Sequence, residues 1–216
     1  MREFKNILDV DIIKKLINFF WTNKDLHHNT NGMSKIDGPW QGITKKLLEP
    51  VLSNILDTRN NLGDNYFYHK YSYLPHVDYH KKESYNVLIP LELENTMDDQ
   101  YFIIFDQLFL HEGRTFCGNL KIPEFSSNKI YKGKIKNEDA SKLTNEDINL
   151  QFYQTYLQNE KRPLDLFWGL SGTAFKWVPG NVIVFNSRHI HCTGNMNCDA
   201  KLGLSLRFKQ NDRSND

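Results

Sequence analysis

Cysteine is scarce in this sequence: Cys117, Cys192 and Cys198 are the only three, and no two of them form a C-x-x-C pair. An odd, scattered set of this kind argues against a disulfide framework, and the residues read as free thiols. An excess of either charge is lacking too. Lys and Arg total 27 against 26 Asp and Glu, a formal charge of +1, so no overall field would steer a polyanion to the surface, and nucleic acid is not expected as a substrate. Long apolar runs are missing at the start, where Arg2, Lys5, Asp9, Asp11, Lys14 and Lys15 interrupt the stretch from Met1 to Trp21. That pattern fits neither a signal peptide nor a membrane span, and a cytoplasmic protein without a membrane partner is expected. No fixed-period repeat or low-complexity tract is visible, and the Lys-rich part from Lys121 to Lys136 reads as a solvated face.

What the sequence has in quantity is aromatic side chains: 14 Phe, 10 Tyr and 4 Trp in 216 residues. Each buries a large area, so the chain should fold around a proper core as a single domain, 1–216. Near-neutral charge together with this aromatic content leans toward a small-molecule substrate. Nothing in the sequence sets the oligomeric state.

Helical signals come first. Ile12, Ile13, Leu16, Ile17 and Phe20 recur at helical spacing from Asp9 to Phe20, with acidic residues at the start. A second apolar stripe runs from about Gln41 to Asp57 and should kink or break near Pro50. Residues 9–60 thus read as a helical brace. From there the rhythm changes to short aromatic and β-branched runs, Tyr66 to His80, Tyr85 to Glu94 and Tyr101 to Leu110, and strand patterns return from Thr173 to Phe208. The expected fold is mainly β with N-terminal helices: a double-stranded β-helix, or jelly roll, over 64–110 and 173–209. Residues 111–165 lack strand rhythm and read as an insertion or lid over one end, with Thr144 and Asp147 suited to cap a helix running to Gln158.

Three elements carry chemistry. His76 and Asp78 stand two apart in a strand-like run, so imidazole and carboxylate point the same way. On its own such a triplet usually means two polar residues facing water. Pro179-Gly180, the apolar run Val182 to Phe185 and then His191 make a turn, a buried strand and a histidine at its end, which a jelly roll can bring beside His76. His189 shares the face of His191, so parity alone leaves either as ligand and the other behind it. Two histidines and one carboxylate with open positions form the facial triad of non-haem Fe(II) oxygenases. On the last strand Leu202, Leu204, Leu206 and Phe208 share one side, while Lys201, Gly203, Ser205 and Arg207 share the other. A cation there suits a dicarboxylate that chelates metal at one end and is gripped at the other; the bland alternative is an edge strand with solvated cations.

In this order, His76-x-Asp78, Pro179-Gly180, His191 and a basic residue on the final strand, the sequence resembles the 2-oxoglutarate and Fe(II)-dependent dioxygenase superfamily, from roughly Tyr66 to Phe208. Tyr73-Leu74-Pro75-His76-Val77-Asp78 looks like the prolyl-hydroxylase form of the first motif. His191, Gly194, Asn195 and Leu204-Ser205-Leu206 look like the phytanoyl-CoA-hydroxylase form of the second. The resemblance implies His76, Asp78 and His191 as Fe(II) ligands, molecular oxygen and 2-oxoglutarate as co-substrates, and succinate and carbon dioxide as products. It also implies Lys201, ten positions after His191, as the favoured co-substrate anchor, with Arg207 next and Ser205 beside them. Because Asp78 is kept, it implies hydroxylation, not halogenation.

Tyr66 and Tyr68 share sequence parity with His76, and Tyr68 is taken as a phenol for the co-substrate, although such residues are more often core. Gln107, Trp168 and Trp177 are candidates to face substrate, their ordinary reading being packing. Two rivals stand: a cupin-like metalloenzyme that needs no keto acid, and a silent jelly-roll binding module.

Overall fold

The computed structural model describes residues 1–30, 33–38, 40–72, 75–78, 84–108, 150–157 and 171–209. In chain order its elements are β1 (Arg2–Phe4), α1 (Val10–Thr22), a 3-10 turn (Lys24–Leu26), β2 (His28–Thr30), β3 (Met33–Asp37), α2 (Gly42–Leu52), β4 (Asn61–His69), β5 (Ser84–Glu94), β6 (Tyr101–Leu108), α3 (Leu150–Tyr156), β7 (Gly172–Lys176), β8 (Val182–Asn186), β9 (His189–Thr193) and β10 (Ala200–Lys209). Seven strands form one antiparallel sheet in the order β1-β8-β5-β10-β4-β3-β2, and three form a second in the order β7-β6-β9. This is the jelly-roll architecture expected of the sequence, with helices bracing one face.

Strand alternation sorts the side chains into three layers. Tyr66 of β4, Val87, Ile89 and Leu91 of β5, Val182 of β8 and Leu202, Leu204, Leu206 and Phe208 of β10 meet Ile13, Leu16 and Phe20 of α1 and Leu48 and Leu52 of α2. Between the sheets lie Leu88, Ile183 and Phe185 from the larger one, with Phe102 and Ile104 from the smaller, plus Phe175 and Trp177. On the far side of the smaller sheet Ile103, Phe105, Ile190 and Cys192 pack with Val77 and with Tyr153 and Leu157. Each fully buried apolar side chain contributes roughly 1.5–3 kcal/mol, so the helix-covered face is the main source of stability.

Local chemistry explains the element ends. Asp9 caps α1, its Oδ1 accepting from the Ile12 N–H at 2.8 Å. Pro50 sits inside α2, which runs on to Leu52 with the Ser53 N–H bonded to the Glu49 carbonyl; the proline withdraws only the N–H that would reach one turn back. Pro90 lies in the interior strand β5, where a central proline would break a ladder; the pairing with β10 shifts register there, between Leu202 and Gly203. A bulge is where a central strand tolerates proline. It also moves Leu93 to the inter-sheet side, in company with Leu88.

Two expectations change. The brace 9–60 contains a hairpin, β2 paired with β3, which extends the larger sheet beyond β4. The run Tyr66 to His80 is not one strand: β4 ends at His69, and His76 makes a separate bridge to His191. Most of the segment 111–165 lies outside the described residues, as do Thr144, Asp147 and Gln158. The described part, α3, packs on the smaller sheet through Tyr153, followed by Leu157. Among the described residues no helix is long and apolar enough to cross a membrane.

Candidate metal centre and cavity

The site begins with a backbone pairing. His76 and His191 exchange both N–H to carbonyl hydrogen bonds, each 2.9 Å, which sets the two imidazoles side by side with ring centroids 4.2 Å apart. Asp78 follows two residues on, its Oδ1 3.8 Å from His76 Nε2 and its Oδ2 3.5 Å from His191 Nε2. One donor atom from each of the three residues falls within 4.8 Å of the others. Two imidazole nitrogens and a carboxylate oxygen so arranged could hold a divalent metal ion and leave further positions open.

Surrounding groups orient these donors. His191 Nδ1 lies 2.9 Å from the His189 carbonyl oxygen. A carbonyl only accepts, so Nδ1 carries the hydrogen and Nε2 keeps its lone pair for a metal. Asn86 Nδ2 donates to Asp78 Oδ2 at 2.9 Å, and Arg207 Nε donates to Asn86 Oδ1 at 3.1 Å, with Arg207 Nη2 3.7 Å from the same carboxylate oxygen. Burial alone pushes the Asp78 carboxyl up. In the protonated, metal-free state the hydrogen bond and charge of His191, then the charges of His76 and Arg207, outweigh that effect and hold it well below the usual carboxylate range.

A cavity of about 140 Å³ opens beside this cluster, and Lys201, Ser205, Thr193 and His69 line it together with the three donors. Lys201 is only 1% exposed. Its Nζ donates to Thr193 Oγ1 at 2.9 Å and lies 4.5 Å from the centroid of the Trp177 ring. A charge in so dry a place is costly unless something anionic or dipolar meets it. His69 faces Lys201 across the β4–β10 ladder. Burial, reinforced by the Lys201 charge, pushes its imidazole down to about 3. His69 is therefore neutral, donating from Nδ1 to the Tyr71 carbonyl at 2.6 Å. Leu88, Phe102 and Phe185 supply apolar wall.

Of the residues singled out by sequence, His76, Asp78, Trp177, His191, Lys201 and Ser205 come together at this cavity. Arg207 is beside them but engaged with Asn86 and Asp78, on the donor side of the site. His189 Nδ1 faces the Phe105 carbonyl at 2.8 Å, and its own carbonyl fixes the His191 ring; the cluster of three donors contains His191 and not His189. Tyr68 needs correction. It lies on the helix-covered face of β4 and donates to Glu94 Oε2 at 2.9 Å, while Phe67 and His69 of the same strand line the cavity. Tyr66 is core, its hydroxyl 3.2 Å from Thr44 Oγ1. The side chain of Gln107 and all of Trp168 lie outside the described residues. Sequence reading passed over Asn86, His69 and Thr193. For Asn86 there was a signal, a lone amide in the apolar run Val87 to Leu91 that follows it, and it is 1% exposed.

No protein-family model matches the sequence, and no curated relative matches it either. Solved structures do match in shape. The epimerase SnoN, in complex with Fe3+, alpha ketoglutarate and nogalamycin RO, superimposes with a TM-score of 0.58 at 9% identity, covering 96% of this chain and 78% of SnoN. HygX from Streptomyces hygroscopicus, with nickel and 2-oxoglutarate bound, gives 0.55 at 8% identity, covering 97% of this chain and 82% of HygX. A Pseudomonas putida prolyl-4-hydroxylase gives 0.50 at 10% identity, covering 98% and 92%. At these identities the likeness establishes the fold.

Proposed function

We propose that this chain is an Fe(II)- and 2-oxoglutarate-dependent oxygenase that hydroxylates a small molecule. The observation that carries the reading is the His76, Asp78 and His191 donor set, within 4.8 Å, on the wall of a cavity that also holds the buried Lys201. Metal-bound neighbours of the same fold, two of them with the keto acid, support it: SnoN with Fe3+ and alpha ketoglutarate, HygX with nickel and 2-oxoglutarate.

Iron and 2-oxoglutarate, when bound, would supply the oxidising chemistry, O2 being divided between succinate and the hydroxyl group of the product as carbon dioxide is released. The chain's own part is to bind, orient and shield. His76, Asp78 and His191 would hold the metal, and Asn86 and Arg207 fix the carboxylate that must not rotate away. Lys201 would pair with the far carboxylate of the keto acid through a charge-assisted hydrogen bond, Thr193 holding its ammonium in place and Ser205 adding a hydroxyl to the same wall. Phe102, Phe185 and Leu88 keep water from the reacting centre. Retention of Asp78 favours hydroxylation over halogenation, since a halide needs that ligand position. The small-molecule assignment leans on near-neutral charge and on a neighbour, SnoN, that holds nogalamycin RO.

An anaerobic visible spectrum of the protein with Fe(II), before and after 2-oxoglutarate, tests this. A charge-transfer band should appear, vanish in His76→Ala and His191→Ala, and require more keto acid in Lys201→Ala. Iron binding without any such band would count for a cupin-like enzyme, and no iron binding would sink the enzyme reading.

A further inference from the structure

One buried donor near Lys201 lacks a partner. Trp177 is 2% exposed and lines the cavity, yet among the described residues nothing accepts a hydrogen bond from its Nε1–H. An indole N–H left without an acceptor in a dry site forfeits the hydrogen bond it made to water. The ring is held firmly. Its backbone N–H donates to the Gln100 carbonyl at 2.7 Å, and Phe67 meets it edge-on with centroids 6.2 Å apart at 71°. Gly203 makes room for it: a Cβ there would fall 2.8 Å from Trp177 Cη2 and 2.5 Å from Phe67 Cζ. Glycine is thus what permits the indole to lie across β10 beside Lys201, whose Nζ sits 4.5 Å from the ring centroid.

We propose that Trp177 is a co-substrate-binding residue, its Nε1–H donating to the distal carboxylate of 2-oxoglutarate while its face steadies the Lys201 ammonium. This rests on the function proposed above and adds to it a second donor for the same carboxylate. Lysine supplies charge on a flexible stem; the clamped indole supplies direction. Together they would distinguish a dicarboxylic keto acid from one that ends in a methyl group, because that group would leave both a buried cation and a buried N–H unmet.

The test uses the full chain loaded with Zn(II), which is diamagnetic and supports no turnover. The indole 15N–1H resonance of Trp177 is assigned by its loss in Trp177→Phe, or by elimination against the other three tryptophans if that variant does not fold. Adding 2-oxoglutarate should move the Trp177 indole proton downfield and slow its exchange with solvent, whereas 2-oxopentanoate, alike but for the distal carboxylate, should not. Trp177→Phe keeps an aromatic face for Lys201 and should bind 2-oxoglutarate about 10-fold more weakly, with 2-oxopentanoate affinity unchanged. An unmoved resonance in wild type saturated with 2-oxoglutarate, or an equal loss for both keto acids in the variant, overturns the proposal while the Lys201-dependent co-substrate site stands. Wild-type protein that binds Zn(II) but no 2-oxoglutarate overturns the proposal and the co-substrate reading together.

Discussion

The two faces of the larger sheet are built from the same strands and do opposite work. On β10 the residues turned toward the helices are Leu202, Leu204, Leu206 and Phe208, all buried in one apolar cluster. Those between them are Lys201, Gly203, Ser205 and Arg207, which meet a cavity, an indole and a carboxylate. Strand β4 repeats the division, with Tyr66 and Tyr68 outward and Asn65, Phe67 and His69 inward. One face stabilises the fold through area; the other costs stability, because it holds Lys201, His69 and Asn86 away from bulk water. The proposed site lies where the physical chemistry of folding is least satisfied.

The largest effects should separate the faces cleanly. His191→Ala removes one of three donors and should abolish metal binding, read by titration with Fe(II) or Co(II), while the urea midpoint of the metal-free protein moves little. Leu204→Ala should do the reverse, lowering stability by roughly 2–5 kcal/mol through transfer and cavity terms while the folded fraction still binds metal. A variant that lost both properties at either position would erase the division.

Next in size is the support of Asp78. Arg207→Gln leaves the three donors in place but frees the Asn86 amide that positions the carboxylate. Metal affinity should fall roughly 10- to 100-fold, the usual range for outer-shell partners. If metal affinity held and 2-oxoglutarate affinity fell instead, Arg207 and not Lys201 would be the keto-acid anchor.

The cavity-facing His69 should be visible as an acid sensitivity. Its imidazole is pushed down to about 3 by burial and then by Lys201, whereas unfolded it would titrate near its ordinary value of 6.5. Between those pH values the unfolded chain binds the proton and the folded one does not, so stability rises with pH in this window and is lost as pH falls through it. The slope from this group is on the order of 1 kcal/mol per pH unit below 6.5. Chemical denaturation of metal-free protein at a series of pH values should show a shallower acid slope in His69→Gln than in wild type.

Much of this was legible because period-2 arithmetic is local. His76 and Asp78, like Lys201 and Ser205, are even steps along one extended run, and their shared direction survives folding. The same arithmetic misplaced Tyr68, because the chain leaves β4 after His69 and parity does not pass through a non-strand segment to His76. It likewise missed β2 and β3, whose few polar residues carry weak strand character and gain their place from pairing with β4. Asn86 escaped notice because its role depends on Asp78 and Arg207, residues brought to it from 8 and 121 positions away. Parity alone did not separate His191 from His189; the backbone pairing with His76 is made by His191.

The smallest expected effect sharpens the division most. Tyr68 lies on the helix-covered face, its hydroxyl giving a hydrogen bond to Glu94, and burial with that contact pushes the phenol up to about 12, so it stays protonated as a donor. Tyr68→Phe removes the hydroxyl and keeps the ring that packs near Phe20 and Trp21. Stability should fall by only about 0.5–1.5 kcal/mol, the net worth of one hydrogen bond. The 2-oxoglutarate titration of the metal-loaded protein should be the same as wild type. A weaker keto-acid affinity in this variant would put the phenol in the cavity after all. It would reverse the facing of β4 and take His69 and Phe67 out of the site with it.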